Sequence, residues 1–405
     1  MEDLLQNEVV VRSGLGGVKE VSEPLITILS EAIAEGATDI HLDPFAEGKH
    51  VRYRVDGVVH EKAPIPVALR KRLLNQIKVL LDLNIDKSFV PEEGFISMEM
   101  EGTQHDMRVT IAPVGDREAI HFRFLSSSRN LRDLVNLGMR GEDLQAVQRV
   151  IEAPYGLVLV AGGTGSGKTT TLYSLANTLK HQNLIVTSIE DPVEFRLPRV
   201  RQLEVSEKHG FTMHEGLRII LRMDPDVIMV GEIRDRDSAT TAARAGLSGQ
   251  LVVATMHARN ASMAVDALGS MDVPRYMIGG ALRLVIHQNL VLRLCQACAG
   301  EAKPTAGDRE LLERHQVPVP QTVRRAVGCA ECRGYGHKGR IAVFELTPID
   351  QSLGHDIAAG VGARKLSSRL HHARRASMAQ DVLHKAAAGE VSLDVAKHFV
   401  QSLGE

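Results

Sequence analysis

Gly162-Gly163-Thr164-Gly165-Ser166-Gly167-Lys168-Thr169-Thr170 decides how the rest of the chain is read. From Gly162 to Thr169 it fits the phosphate-loop pattern G-x-x-x-x-G-K-[ST]. A buried apolar run over 157–161 ends just before it, and a helical pattern opens after Gly167. Glycines let consecutive backbone N–H groups turn inward around phosphate oxygens, and a helix N-terminus adds partial positive charge. Lys168 can reach the β- and γ-phosphates, and the Thr169 hydroxyl can ligate Mg²⁺. The stretch therefore predicts a site for ATP or GTP with Mg²⁺. The alternative is a glycine-rich turn that matches by accident, and the flanking strand and helix argue against it.

Working outward, three more buried-strand patterns stand at 184–189, 227–230 and 251–255, with helical segments between them. That alternation predicts a parallel sheet covered on both faces. Toward the N-terminus, residues 1–22 read as a polar tail. A helix begins at Ser22, carries Leu25, Ile26, Ile28, Leu29, Ala32 and Ile33, and stops at Gly36. Strand patterns follow at 39–42 and 50–55, with a turn at Asp56-Gly57. A basic amphipathic helix and strands near 106–111 and 119–124 complete a small α+β domain over 23–128. A linker spans 129–142, an α/β core 143–285, and a cysteine-bearing helical region 286–405.

The chain has 405 residues, a formal net charge of −2, no Trp and 3% aromatics. Such a molecule has no overall field to gather nucleic acid and few platforms for stacking bases, so no nucleic-acid partner is expected. Met1-Glu2-Asp3 has neither the positive region nor the apolar stretch of a signal peptide, and the apolar runs are too short to span a bilayer. The expected location is cytosolic or peripheral.

A second acidic group stands in Asp224-Pro225-Asp226-Val227-Ile228-Met229-Val230-Gly231-Glu232-Ile233-Arg234-Asp235. The apolar strand would deliver Glu232 to the sheet edge where the phosphate loop ends, which suits a carboxylate that polarises water or holds Mg²⁺. The alternative is a solvated strand-end carboxylate. With this stretch, Gly165–Tyr173, Ile189-Glu190-Asp191-Pro192-Val193-Glu194 and Ala254-Thr255-Met256-His257-Ala258 stand in one order. In that order they resemble the type II secretion and type IV pilus assembly ATPases, from about residue 22 to the C-terminus.

The resemblance implies a RecA-type motor domain with Glu232 as catalytic glutamate. It places Glu190 and Asp191 toward Mg²⁺ and the γ-phosphate, and His257 as a γ-phosphate sensor. Unaided, His257 reads as a satisfied strand-end histidine. The family's N-terminal, PAS-like domain contributes arginines toward nucleotide, and the matching positions are Arg108 and Arg123. Their alternative is a surface ion pair. Departures are Gly163 where Pro is usual, Gln250 where His is usual, and Phe95 where an arginine is usual.

Cys295-Gln296-Ala297-Cys298 and Cys329-Ala330-Glu331-Cys332 form two C-x2-C pairs separated by 30 residues. Each can offer two thiolates to one tetrahedral Zn²⁺, a closed and therefore structural site. A redox pair or free thiols are the alternatives. The pairs also match assembly-type members of the family, whose zinc module lies in the C-terminal region. The resemblance thus implies a homohexameric ATP-hydrolysing motor for pilus assembly or type II secretion. Its implied partners are an inner-membrane platform protein and pilin-like subunits. Rival readings are a DNA translocase or uptake motor, a pilus retraction motor, and a slow nucleotide-gated scaffold.

Overall fold

The computed structural model describes residues 10–13, 18–19, 21–45, 48–86, 90–100, 103–125, 133–180 and 183–404. Most of the expected tail and residues 129–132 of the expected linker lie outside them. The chain divides into two compact units, residues 1–129 and 130–405.

The first unit comprises β1 (Val10–Ser13), β2 (Val18–Lys19), α1 (Glu23–Glu35), β3 (Ala37–Phe45), β4 (Gly48–Val55), β5 (Val58–Ile65), α2 (Val67–Leu80), β6 (Glu92–Met100), β7 (Thr103–Val114) and β8 (Arg117–Phe124). Its antiparallel sheet runs β2-β1-β6-β7-β8-β3-β4-β5. Two short strands thus stand where the sequence reads as a tail. Pro24 sits in the first turn of α1, where its missing N–H costs nothing, and Gly36 ends the helix at φ 70. Leu25, Ile28, Leu29 and Ala32 form its buried stripe against Ile40, Leu42, Val109, Ile111 and Phe122 of the sheet. Asp56 and Gly57, at φ 52 and 87, supply the left-handed turn between β4 and β5.

The second unit contains α3 (Gly141–Ile151), β9 (Gly156–Ala161), α4 (Lys168–Leu179), β10 (Val186–Glu190), β11 (Arg201–Glu204), α5 (Met213–Ile220), β12 (Val227–Val230), α6 (Arg236–Leu247), β13 (Leu251–Met256), α7 (Ala261–Ser270), α8 (Arg275–Ala281) and β14 (Leu282–Leu294). It continues with β15 (Gly300–Ala302), α9 (Ala306–Arg314), β16 (Val323–Arg325), β17 (His337–Pro348), α10 (Gln351–Ala358), α11 (Ala363–Ala373), α12 (Met378–Ala387) and α13 (Leu393–Ser402). The main sheet runs β11-β10-β12-β13-β9-β14-β17. Its strands are parallel except β17, which pairs antiparallel with β14.

Successive strand side chains point to opposite faces, so each strand feeds two cores. Leu157 and Leu159 pack with α5–α8, α10 and α11, while Val158 and Val160 pack with α3 and α4. The sheet is thus buried on both faces, which explains the unbroken apolar runs of β9, β12 and β13. Residue 285, where the sequence suggests that the α/β core ends, lies inside β14. The region beyond it is therefore not purely helical, because β14 and β17 complete the main sheet.

Candidate functional site

Each parallel strand ends at the same sheet edge, and ligands of open α/β sheets bind outside that edge. β9 delivers the phosphate loop, β10 delivers Glu190 and Asp191, β12 delivers Gly231 and Glu232, and β13 delivers His257.

The loop is shaped by its glycines. A Cβ on Gly162 would lie 2.6 Å from the Gln288 carbonyl oxygen, and Gly165 and Gly167 adopt φ 73 and 87. Gly163 and Gly165 are exposed and have open space beside them, so backbone and ligand can approach closely. Gly163 therefore needs no particular side chain, and the departure from Pro leaves the cradle open. Thr164, Thr169 and Thr170 are exposed at the loop and the first turn of α4, and the Ser166 hydroxyl is buried without a partner among the described residues. Lys168 donates to the carbonyls of Gly162 at 3.0 Å and Gly163 at 2.9 Å. Burial lowers its pKa, opposed by Glu232 and assisted by Arg234. An open glycine cradle, a helix N-terminus and a partly desolvated lysine fit a nucleotide triphosphate chain. Thr169 would present its hydroxyl to the accompanying Mg²⁺.

Glu232 is held on both oxygens. His257 Nε2 stands 2.8 Å from Oε1, and Arg234 donates to Oε2. The carboxylate is 15% exposed, whereas His257 and Arg234 are more than half exposed. Arg234 also lies 3.9 Å from Asp191, itself half exposed. His257, Arg234 and Asp191 thus face solvent while Glu232 is largely sheltered beneath them, an arrangement that can act on a γ-phosphate and an attacking water. Gly231 has no side chain because a Cβ there would press on the Glu190 backbone at 3.1 Å. That crowding leaves Glu232 as the carboxylate available at the end of β12.

Glu190 lies apart from this group in its bonding. It is 2% exposed, and its oxygens accept from Tyr173, Ser188 and Gln202. Tyr173 in turn accepts from the Glu194 backbone at 3.2 Å. Sequence reading put Glu190 and Asp191 together toward the metal; the structure exposes Asp191 and commits Glu190 to bonds within the protein. The supporting residues Tyr173, Ser188, Gln202 and Arg234 carried no role in the sequence, although Tyr173 and Arg234 lie inside its motifs.

In the first unit, cross-strand register sets Phe95, Arg108, Arg123, Asp39 and Arg54 in one row across β6, β7, β8, β3 and β4. Arg108 pairs with Glu93, and Arg123 donates to Asp39 at 3.0 Å. Burial works to raise the pKa of Asp39, but bonds from His121, Thr38 and Arg123 hold it well below the usual carboxylate range. Phe95 is 53% exposed in that row.

The cysteines close a separate site. Leu294 ends β14 beside Cys295, and Gly336 precedes β17, so both pairs grow from the end of one ladder. The four sulfurs lie within 4.8 Å of one another, and the Cys295–Cys329, Cys298–Cys332 and Cys329–Cys332 pairs are 3.7–3.9 Å apart. Tetrahedral zinc–sulfur bonds of about 2.3 Å put sulfurs about 3.8 Å apart. Backbone N–H groups of Gly328, Cys329 and Gly336 point at sulfur from 3.1–3.3 Å. Burial opposes ionisation of Cys332, yet the N–H groups of Cys329 and Gly336 hold it down to about 6. Burial and the neighbouring thiols push Cys298 up to about 12. Four sulfurs this close can share one cation, which would ionise them, and the donor set fits Zn²⁺.

Together the loop, the acidic strand ends and the sheet define a P-loop α/β nucleotide-binding protein. The chain belongs to the type II/IV secretion system protein family, whose profile matches residues 17–398. It is 36% identical over 397 residues to the type II secretion system ATPase E of Vibrio cholerae, covering 97% of this chain and 77% of that one. It is 34% identical over 372 residues to the type IV pilus assembly ATPase PilB of Myxococcus xanthus, covering 91% and 65%. A third relative, the type II secretion system protein E of Pseudomonas aeruginosa, is 38% identical over 326 residues, 65% of its length. The fold is shared with the Legionella pneumophila ATPase DotB at a TM-score of 0.68 and 18% identity, covering 95% of this chain and 97% of that one. No helix among the described residues is long and apolar enough to cross a membrane.

Proposed function

We propose that the chain is a Mg²⁺-dependent ATPase with a RecA-type core, working as the motor of a type II secretion or type IV pilus assembly system. One observation carries the reading: Glu232, largely sheltered and bonded to the exposed His257 at 2.8 Å, stands at the sheet edge that also presents Lys168 and the open loop. Bound ATP would supply the phosphoryl group, and Mg²⁺ the positive charge that offsets it. Lys168 and the loop N–H groups bind the phosphates, and Thr169 holds Mg²⁺. Glu232 takes the proton of the attacking water. His257 orients that carboxylate and meets the γ-phosphate, while Asp191 lies beside the metal. Glu190 acts from behind, fixing the turn that carries Asp191.

The resemblance to secretion and pilus assembly ATPases extends the proposal to partners: six copies in a ring, an inner-membrane platform protein, and pilin-like subunits moved by the stroke. The chain then works on the cytoplasmic side of the inner membrane, held there by its partners. The smaller unit is the PAS-like domain of such motors, and Arg108 and Arg123 are the residues through which it would meet a nucleotide. Zn²⁺ on Cys295, Cys298, Cys329 and Cys332 is structural, since four sulfurs leave no open coordination position. A DNA motor is the rival class. ATP turnover by the purified chain should need Mg²⁺ and stay level when single- or double-stranded DNA is added; stimulation by DNA would favour the rival.

A further inference from the structure

A phosphate loop can point its N–H groups inward only if its carbonyls point outward, and outward carbonyls need donors of their own. Among the described residues, side-chain donors to the loop carbonyls come from Lys168 and from Gln288 of β14. Gln288 Nε2 donates to the Ser166 carbonyl at 2.7 Å. Lys168 donates to Gly162 and Gly163. These two supports differ in what becomes of them when a nucleotide arrives. Lys168 carries the charge that phosphates attract, and its ammonium has three donors to redirect. Gln288 is neutral and 1% exposed on a strand buried in the sheet, so it has nowhere to turn.

Gln288 also touches the loop at both ends. Its carbonyl oxygen lies 2.6 Å from where a Gly162 Cβ would stand, and its amide nitrogen 3.1 Å from where a Gly167 Cβ would stand. The register places it just past the β9 residue Ala161, which pairs with His287. The loop thus leans against one residue at its start, at Ser166 and at its exit into α4. Gln288 Oε1 is buried and has no partner among the described residues. Buried polar groups are usually paired, so an amide with one unmet oxygen calls for an explanation, and the bond it does make is to the Ser166 carbonyl.

We infer that Gln288 is a positioning residue of the phosphate loop, holding the Ser166 carbonyl outward so that the neighbouring N–H groups stay aimed at the β- and γ-phosphates. It touches no reacting atom and acts through loop geometry. The inference rests on the proposal that the loop binds ATP. Removing the donor leaves the Ser166 carbonyl without a partner in a dry site, and the loop then samples conformations that do not bind. Affinity should fall by the fraction of time spent there.

The test uses the full-length purified chain and a fluorescent ADP analogue, with Gln288→Met removing both polar atoms at nearly equal volume and Gln288→Glu keeping the shape but replacing the donor by an acceptor. Both variants should bind the nucleotide about tenfold or more weakly, and Gln288→Glu more weakly than Gln288→Met. At saturating ATP, turnover should remain within about threefold of the parent, so that the loss appears in KM. A merely structural residue would instead lower the nucleotide-free melting temperature and leave the affinity of the folded fraction unchanged. That result, or parent-like affinity in either folded variant, would overturn the inference. Failure of the parent chain to bind nucleotide would refute the underlying site instead, and the two failures are therefore distinct.

Discussion

Tyr173→Phe removes a single oxygen from the second unit and tests how Glu190 is used. Tyr173 is fully buried, donates to Glu190 and accepts from the Glu194 backbone. Burial and the adjacent carboxylate push its own ionisation far upward, so the hydroxyl remains a donor throughout the working pH range. Phe keeps the ring and its edge contact with Phe195 at 4.6 Å, so packing is conserved. What is lost is one donor to a buried carboxylate, worth about 1.5–3 kcal/mol, while water can replace the bond at half-buried Glu194. For a unit of this size, each kcal/mol shifts the melting temperature by about 2–4 °C. Scanning calorimetry without nucleotide should therefore show a drop of roughly 3–12 °C. If Glu190 instead works on the metal from the front of the site, Tyr173→Phe would leave the transition within about 1 °C and reduce turnover. That pattern would refute the account of a buried anchor.

Two further outcomes follow from the rest of the unit. Cys298→Ser should leave three zinc ligands, reduce bound zinc well below one per chain by metal analysis, and leave nucleotide binding at Lys168 intact; a native chain with no zinc and four reactive thiols would contradict the metal site. Burial holds the pKa of His287 down to about 4, below the ordinary value of 6.5. Between those pH values the unfolded chain binds a proton that the folded chain does not, so stability falls as pH drops through the window. The contribution is up to about 3 kcal/mol at 1.36 kcal/mol per unit. His287→Gln should flatten that part of the pH dependence of thermal unfolding, and an unchanged slope would show that His287 does not supply it.

The sheet was most legible where burial is two-sided. β9, β12 and β13 read as continuous apolar runs, and the loop between β9 and α4 carries its glycines at the positions geometry demands. β11 has no such run, because Arg201–Glu204 lies at the sheet edge with little burial. β6 was hidden because its outward residues Glu93, Phe95 and Ser97 mask the inward pair Ile96 and Met98. The expected boundary at residue 285 splits β14 (Leu282–Leu294), because that strand outlasts the parallel sheet and continues toward Cys295. The direction of Glu190 had no signature: β10 is buried throughout, so period-two alternation cannot separate a face toward nucleotide from a face toward protein. Gln288 did leave a trace, a polar side chain between the apolar runs of β14. Its partner, Ser166, is 122 residues away, and no local pattern could supply it.

The most direct test of the proposed function compares Glu232→Gln with the parent chain and with Lys168→Ala, measuring ATP binding and ATP turnover on the same preparations with Mg²⁺ present. The amide keeps the size of Glu232 and can still bond His257, but it cannot take a proton from water. General-base catalysis contributes about 10²–10⁴-fold. Glu232→Gln should therefore bind ATP like the parent while turnover falls at least a hundredfold, and Lys168→Ala should lose turnover through loss of the cation on the phosphates. Turnover by Glu232→Gln at the parent rate would contradict the assignment of Glu232 as the catalytic base.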